Sequence, residues 1–400
     1  IEVKRALLLA QADKDANLRH TAFLVAILSQ PLLTQSLQAL EPDLARQLHE
    51  LESFELVAGT APKAVKSSKI SAKDAQQLVS QLSFDDYSVL LQGMSNTYAD
   101  ISFLAAFALA VLKDQRAFGM LLVLSREADA SIRAGVCRAF AWLGQDDSIP
   151  TLELLLNDEV AEVRDAAFTA LLSLQSNVLL SIERGFAAKH QDIHARSLKS
   201  LLELYGAKAN KQRTQALPLL QAALNDPFDA IRQEAFKTCL NQQLGDSEMG
   251  TLRLLLSSRY ENLHQEVLNE LMAKSRQNPI VDWVQPLLLE LFNDNFAKVR
   301  LSALSFSLQE KKRFDSQAVL AAAVKSQYLD IRQAALNFIA EYPSQANQAH
   351  LTLLLQDSDA NLRNKAISLL VDAEQQSALV AALDSAYTDV QVSAATALAK

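Results

Sequence analysis

One phrase recurs along this chain at a nearly constant interval, and a period of about 30 residues decides an architecture before any side chain is given chemistry. It is clearest at Leu154-Leu155-Leu156-Asn157-Asp158-Glu159-Val160-Ala161-Glu162-Val163-Arg164-Asp165-Ala166-Ala167, which reads as the end of an apolar helix, an acidic turn and the start of a second helix. The position held by Arg164 recurs at Arg19, Ser102, Arg133, His194, Arg232, His264, Arg300, Arg332, Arg363 and Gln391, in steps of 31, 31, 30, 38, 32, 36, 32, 31 and 28 from Ser102 onward. Six residues upstream of this signature position stand Asp13, Glu127, Asp158, Asp226, Asp294 and Asp357.

The second helix of each unit follows one plan. Apolar residues fill signature −1, +4 and +7, as at Val163, Phe168 and Leu171, and a small residue fills +3, as at Ala22, Ala105, Ala167, Ala235, Ala303, Ala335, Ala366 and Ala394. Those offsets line one side of a 3.6-residue helix, and the small residue lets neighbouring helices approach closely. A single helix pair cannot bury its own apolar faces, so the pairs must stack. The expected fold is all-α, a right-handed α-solenoid of about 10–11 helix-pair repeats.

Composition agrees. Half the residues are hydrophobic, 6% are aromatic, and there are nine Gly and nine Pro, a balance that suits packed helices and leaves little for strands. The net charge of −8 argues against a general nucleic-acid binder, although a local basic stripe is compatible with it. Cys137 and Cys239 fall at apolar spacing in matching helices and read as small core residues rather than a disulfide. No apolar run reaches the ~18 residues of a membrane span, and Ile1-Glu2-Val3-Lys4-Arg5 opens into an amphipathic pattern instead of a signal peptide. The chain starts without Met and stops within a helical pattern at Ala397-Leu398-Ala399-Lys400. It reads as a cytoplasmic segment of a larger protein.

Three regions follow from the pattern. Residues 1–56 hold one repeat, with helices over 3–11 and 17–29, and then irregular helices opened by Pro31 and Pro42, since Pro favours a first helical turn. Residues 57–73 read as a basic flexible linker or long loop, with Gly59 and Pro62 breaking the pattern and Lys63, Lys66, Lys69 and Lys73 unaccompanied by acids. Residues 74–400 are the repeat array. Ser71 with Asp74 and Ser83 with Asp86 signal helix starts, and Gly144, Gly206 and Gly245 signal left-handed helix ends.

The Leu-Leu-x-Asp…Val-Arg-x-x-Ala phrase at Leu155–Ala167 resembles the signature of HEAT repeats, especially the short HEAT-like class also found in phycobilin lyases. The resemblance covers residues 84–400 and the first helix pair; residues 31–83 depart from it and hold either a degenerate repeat or an insertion. It implies a solenoid and says little of activity, because such arrays serve as adaptors, scaffolds, chaperone-like lyases and a few enzymes.

Two sets of charged residues stand out. Asp158 with Arg164, Asp226 with Arg232, Asp294 with Arg300 and Asp357 with Arg363 read as a structural ladder, each Arg bridging Asp or carbonyl groups in the turns of adjacent units, a task that suits planar guanidinium. An anion-binding track is the other reading, weakened because the acids travel with the arginines. On the inner face, offsets +5 and +9 are expected to point outward, at Phe107, Arg138, Thr169, Lys199, Lys237 and Asn269 and at Val111, Trp142, Ser173 and Glu203. Arg138, Trp142, Arg196, Lys199 and Lys237 are therefore candidate partner-binding residues, Arg and Trp being the types that dominate interface hot spots.

No catalytic, cofactor or metal site is expected. His190 and His194 are spaced i, i+4, but Gln191 stands where a zinc-helix Glu would, and only His194 falls in the helix. The His-Glu pairs of di-iron members of the HEAT-like class are represented only by His49-Glu50. The function that follows is a non-enzymatic protein–protein interaction scaffold or adaptor, binding an extended or acidic protein along its concave surface, with no membrane partner. The alternatives are a nucleic-acid binder, resembling the DNA glycosylases of this fold, or a lyase- or chaperone-like role.

Overall fold

Helix boundaries in this chain are set locally, by side chains that satisfy the backbone groups a helix end leaves open. The computed structural model describes residues 2–41, 45–46, 77–174, 178–206, 210–244, 247–277 and 281–399, and among them there is no strand. The expected linker at 57–73, Pro42, Ser71 and His49-Glu50 lie outside the described residues. By internal packing the chain divides into two units, Ile1–Leu220 and Gln221–Lys400.

In the first unit, α1 (Glu2–Ala10) and α2 (Ala16–Leu28) form a pair, followed by α3 (Pro31–Leu40). Further pairs are α4 (Phe84–Met94) with α5 (Ala99–Val111), α6 (Ala117–Leu124) with α7 (Ala130–Leu143), α8 (Ile149–Leu155) with α9 (Ala161–Leu174), and α10 (Val178–Phe186) with α11 (Gln191–Gly206). The division between units falls within α12 (Asn210–Leu224), which precedes α13 (Asp229–Gln242). The second unit continues with α14 (Glu248–Leu255) and α15 (Glu261–Ser275), α16 (Val284–Glu290) and α17 (Ala297–Gln309), and α18 (Ser316–Val324) and α19 (Leu329–Glu341). It closes with α20 (Gln348–Leu354) and α21 (Ala360–Asp372), then α22 (Gln376–Ala382) and α23 (Thr388–Leu398). Second helices stack in order, α5 on α7, α9 and α11 in one unit and α15 on α17, α19, α21 and α23 in the other. Each unit is thus an α-solenoid of helix pairs.

Caps explain where the helices begin and end. The Asp15, Asp129 and Asp359 side chains accept the first free N–H groups of α2, α7 and α21, each a contribution of about 1 kcal/mol. Ser83 donates its backbone N–H and its hydroxyl to Asp86, both at 2.7 Å, to open α4. Gly144 ends α7 at φ 73°, the left-handed conformation expected of it. At the end of α13 that conformation falls to Gln243, at φ 49°, rather than to Gly245, which lies outside the described residues.

The stacking face is as tight as the small residues require. Ala105, Ala167, Ala235, Ala303, Ala335, Ala366 and Ala394, at signature +3, are all fully buried, as is Phe168 at +4. One expectation fails here. Phe107 and Val111 point inward and are buried, at 7% and 1% exposure, because α5 is packed on every side by α2, α3, α4, α6 and α7. The segment after the first helix pair leaves the array and lies against a face that the spacing alone would leave open. Among the described residues no single helix is long and apolar enough to cross a membrane; the apolar residues of α2 and α3, such as Phe23, Ile27, Leu33 and Leu37, are spent inside the core.

Glycines test how closely the helices approach. A Cβ on Gly185 would collide with the Ser197 hydroxyl and with the Phe168 ring, whereas one on Gly119 meets nothing within 4 Å. Gly119→Ala should therefore stabilise the chain by roughly 0.5–1 kcal/mol, the usual helix gain. Gly185→Ala should instead destabilise it by about 1–3 kcal/mol, since overpacking outweighs that gain. Thermal melting of both variants checks the difference in sign.

Candidate functional site

The charged ladder is built from backbone as much as from side chains. Arg164 Nη1 donates to the carbonyls of Asp158 (2.8 Å) and Glu159 (2.9 Å), the turn between its own two helices. Its other face reaches the next unit, Nη2 lying 2.5 Å and Nε 3.0 Å from the Asp192 carboxylate. Arg232, Arg300 and Arg363 hold the carbonyls of Asp226, Asp294 and Asp357 in the same way, at 2.7, 2.9 and 2.8 Å. The acid six residues upstream thus serves its own unit's arginine through its carbonyl, and its carboxylate is left for the preceding unit. Arg133 takes Asp158 bidentately, at 2.7 and 2.9 Å, and Arg332 takes Asp357 at 2.6 and 3.2 Å.

Where that acid is missing, another replaces it two residues before the next signature position. Arg19 pairs with Asp100 (2.7 Å), Arg164 with Asp192, Arg300 with Asp330 (2.6 Å) and Arg363 with Asp389 (2.8 Å). Arg232 departs from both patterns, since its ion pair is with Asp229 of its own helix, at 2.7 Å. The joints also contain two elements that the charge pattern does not announce. Tyr98, Tyr260, Tyr328 and Tyr387, each four residues before a signature position, lie face-on to Arg19, Arg232, Arg300 and Arg363 of the preceding unit, 3.6–3.9 Å from guanidinium carbon to ring centre. Such stacks contribute on the order of 1 kcal/mol each. Seven residues before the signature, Asn157, Asn225 and Asn293 accept the backbone N–H of Lys189, Arg259 and Gln327 in the next turn, at 2.7–3.0 Å. Four of the chain's seven tyrosines share one register, a signal the sequence held.

Histidine replaces arginine at two joints. His194, with 1% exposure, takes the carbonyl of Ala188 at 2.7 Å and meets the Phe186 ring edge-on. That is a ladder contact, and among the described residues no group of three His, Cys, Asp or Glu side chains is placed to hold a metal ion. His264 reproduces the whole joint. Nε2 lies 2.7 Å from the Ser258 carbonyl and Nδ1 2.6 Å from the Asp294 carboxylate, with the Phe296 ring beside it. Burial pushes this imidazole towards neutrality, but the Asp294 carboxylate and the Ser258 carbonyl together outweigh it and hold its pKa above the ordinary histidine value. With an acceptor at each ring nitrogen, the protonated ring fits best. Elsewhere the Arg133 guanidinium holds Asp158 below the usual carboxylate range. Cys137 and Cys239 are free and buried, with burial pushing each thiol up to about 12, so neither is a nucleophile.

The five inner-face candidates separate. Trp142 is half-buried and its indole N–H donates to Glu41, just after α3, at 2.8 Å. Arg196 is held by Asp165 (2.7 Å) and Thr169 (3.3 Å) of the neighbouring second helix α9. Arg138 is exposed and lies 5.7 Å from the Phe107 ring centre. Lys199 on α11 is exposed, and so is Lys237, which stands on α13 in the second unit. The structure therefore brings Arg138 and Trp142 together on α7 and ties Trp142 to the chain's own Glu41.

Two measurements probe the joints. Arg164→Ala strands two turn carbonyls and should cost about 1–3 kcal/mol, whereas Arg253→Ala, which removes a fully exposed ion pair with Glu290, should leave melting unchanged; amide exchange of α8–α10 reads the first. Because the folded pKa of His264 is raised, its stabilisation is complete below the unfolded value near 6.5 and is lost as pH rises through the folded value. Melting of the second unit should fall across that window, and His264→Arg, restoring the residue used at sister joints, should flatten the profile.

Residues 87–172 match the sequence model of HEAT repeats. No curated protein sequence matches the chain. Among solved structures, Kap95p from a study of its binding to RanGDP aligns at 15% identity over 99% of this chain and 60% of its own, with a TM-score of 0.32. A crystal structure of importin-β aligns at 13% over 94% and 59%, TM-score 0.31, and yeast importin-β at 13% over 100% and 61%, TM-score 0.28. The chain spans about 60% of the length of these proteins, and scores of this size leave the fold to rest on its own helix pairs. The match to HEAT repeats is shown for residues 87–172, and the joint found there recurs on both sides of that segment, from Arg19 to Arg363.

Proposed function

We propose that this is a non-enzymatic, cytoplasmic interaction scaffold that binds an extended or acidic protein segment along the inner faces of its second helices. The observation that supports the reading is a row of exposed residues in one register, signature +5. It runs through Arg138, Thr169 and Lys199 in the first unit and Lys237, Asn269, Ser305, Asn337, Ser368 and Thr396 in the second. The ladder charges are turned into the joints, so these side chains are what successive helices offer to a partner. Within each unit, many weak contacts repeated along such a row suit an extended ligand. Within the first unit the row opens only after α5, since Phe107 is covered.

Arg138, Lys199 and Lys237 carry the row's positive charge. Changing all three to Glu should weaken capture of the partner from native lysate by at least about tenfold, the charge reversal acting mainly through association rate, with helicity and melting kept. Capture should survive nuclease. Loss of the partner on nuclease treatment, together with binding that falls steeply with salt, would replace a protein partner by nucleic acid.

A further inference from the structure

The helix-pair stack of the second unit is filled at one junction and open at the next. Phe306 and Phe338 occupy the same register, signature +6, on α17 and α19. After α17 the connecting loop turns Phe314 inward, 4% exposed and edge-on to Phe306. After α19 the loop's aromatic, Tyr342, stands four residues earlier in register and is 48% exposed, its ring tilted against Phe338 and 4.0 Å from the Lys311 ammonium. Ala346 then stands, exposed, two residues before α20, where Phe314 stands before α18. At this junction there is a crevice of about 320 Å³, with Ile339, Leu351 and Leu370 as its buried floor and Pro343, Leu369 and Ala373 at its sides.

A crevice of this size falls in the range that takes a ligand group, and its floor is apolar, with the polar side chains of Ser344, Gln348 and Gln375 completing the lining. Its surroundings carry a sign. Glu341, Asp372 and Glu374, at or beside the helix ends and loop bordering the crevice, are exposed, while the Lys311 ammonium is taken up by the Tyr342 and Phe338 rings, 4.0 and 4.9 Å away. We propose that this crevice is a docking site for an apolar anchor side chain of a partner segment whose flanking residues are basic. The site lies at the loop ends of α19 and α21 and does not depend on the inner-face reading, so the two fail separately.

The test uses the full chain and three labelled decapeptides read by fluorescence anisotropy: a central Leu-Phe pair flanked by lysines, the same peptide with Ser-Ser at the centre, and the Leu-Phe peptide flanked by glutamates. The first should bind, and each of the other two should bind at least about tenfold more weakly, as expected when one buried anchor dominates an interface. Ala373→Phe, which fills the crevice, and Asp372→Lys should each produce a similar loss, and Arg138→Glu with Lys199→Glu should produce none. Should Ala373→Phe fail to fold by circular dichroism, Ser344→Trp on the exposed loop blocks the mouth instead. No binding of the first peptide, equal binding of the Ser-Ser peptide, or undiminished binding by the filled or blocked variant overturns the proposal.

Discussion

The whole array depends on a guanidinium that serves two masters. A helix end leaves carbonyls without partners, and at Arg19, Arg133, Arg164, Arg300, Arg332 and Arg363 one arginine nitrogen closes the turn between its helices while the rest of the group reaches a carboxylate of the next unit. Arg suits this because its donors form a planar fork that a lysine cannot reproduce. The acids that answer it come from two registers, six before or two before the next signature residue, and tyrosine covers the guanidinium at four of the joints. The geometry is held while the residues vary. His264 makes the same point, reproducing the joint with an imidazole and so adding a dependence on pH that arginine lacks.

Much of this was legible in the sequence. The 3.6-residue apolar pattern with Ala at +3 is enough to assign stacked helix pairs, and the fully buried alanines occupy the faces that spacing assigns to them. The route of each bond was less legible. The repeat names Asp and carbonyl groups of adjacent turns as the arginines' partners without dividing them: Arg164 takes the Asp158 carbonyl, and the Asp158 carboxylate belongs to Arg133. Spacing tells which residues repeat, whereas the partner across a joint depends on how far the neighbouring turn is offset. The tyrosine register could have been found by counting, since an aromatic at a helix start has no capping use of its own.

The inner face shows where local pattern stops being informative. Phe107 and Val111 obey the outward offsets and are nevertheless buried, because α3 comes from a segment that carries no repeat signature. Trp142, a plausible hot spot by type, donates its N–H to Glu41 from a point 101 residues away in sequence. Contacts of that range are decided by the fold, and neither propensity nor period foretells them. Lys199 and Lys237, by contrast, keep their predicted exposure.

The central claim is that neighbouring units are coupled through the guanidinium joint rather than by apolar packing alone. The most direct measurement is a double-mutant cycle on Arg133 and Asp158, with Arg133→Ala, Asp158→Ala and both together. Local stability is read from hydrogen exchange of the α7–α9 amides, since arrays unfold unit by unit. The bidentate, mostly buried pair should give a coupling of about 1–3 kcal/mol, with protection lost on both sides of the joint. A coupling below roughly 0.5 kcal/mol, the range of independent sites, would show that the stack holds itself together without the ladder.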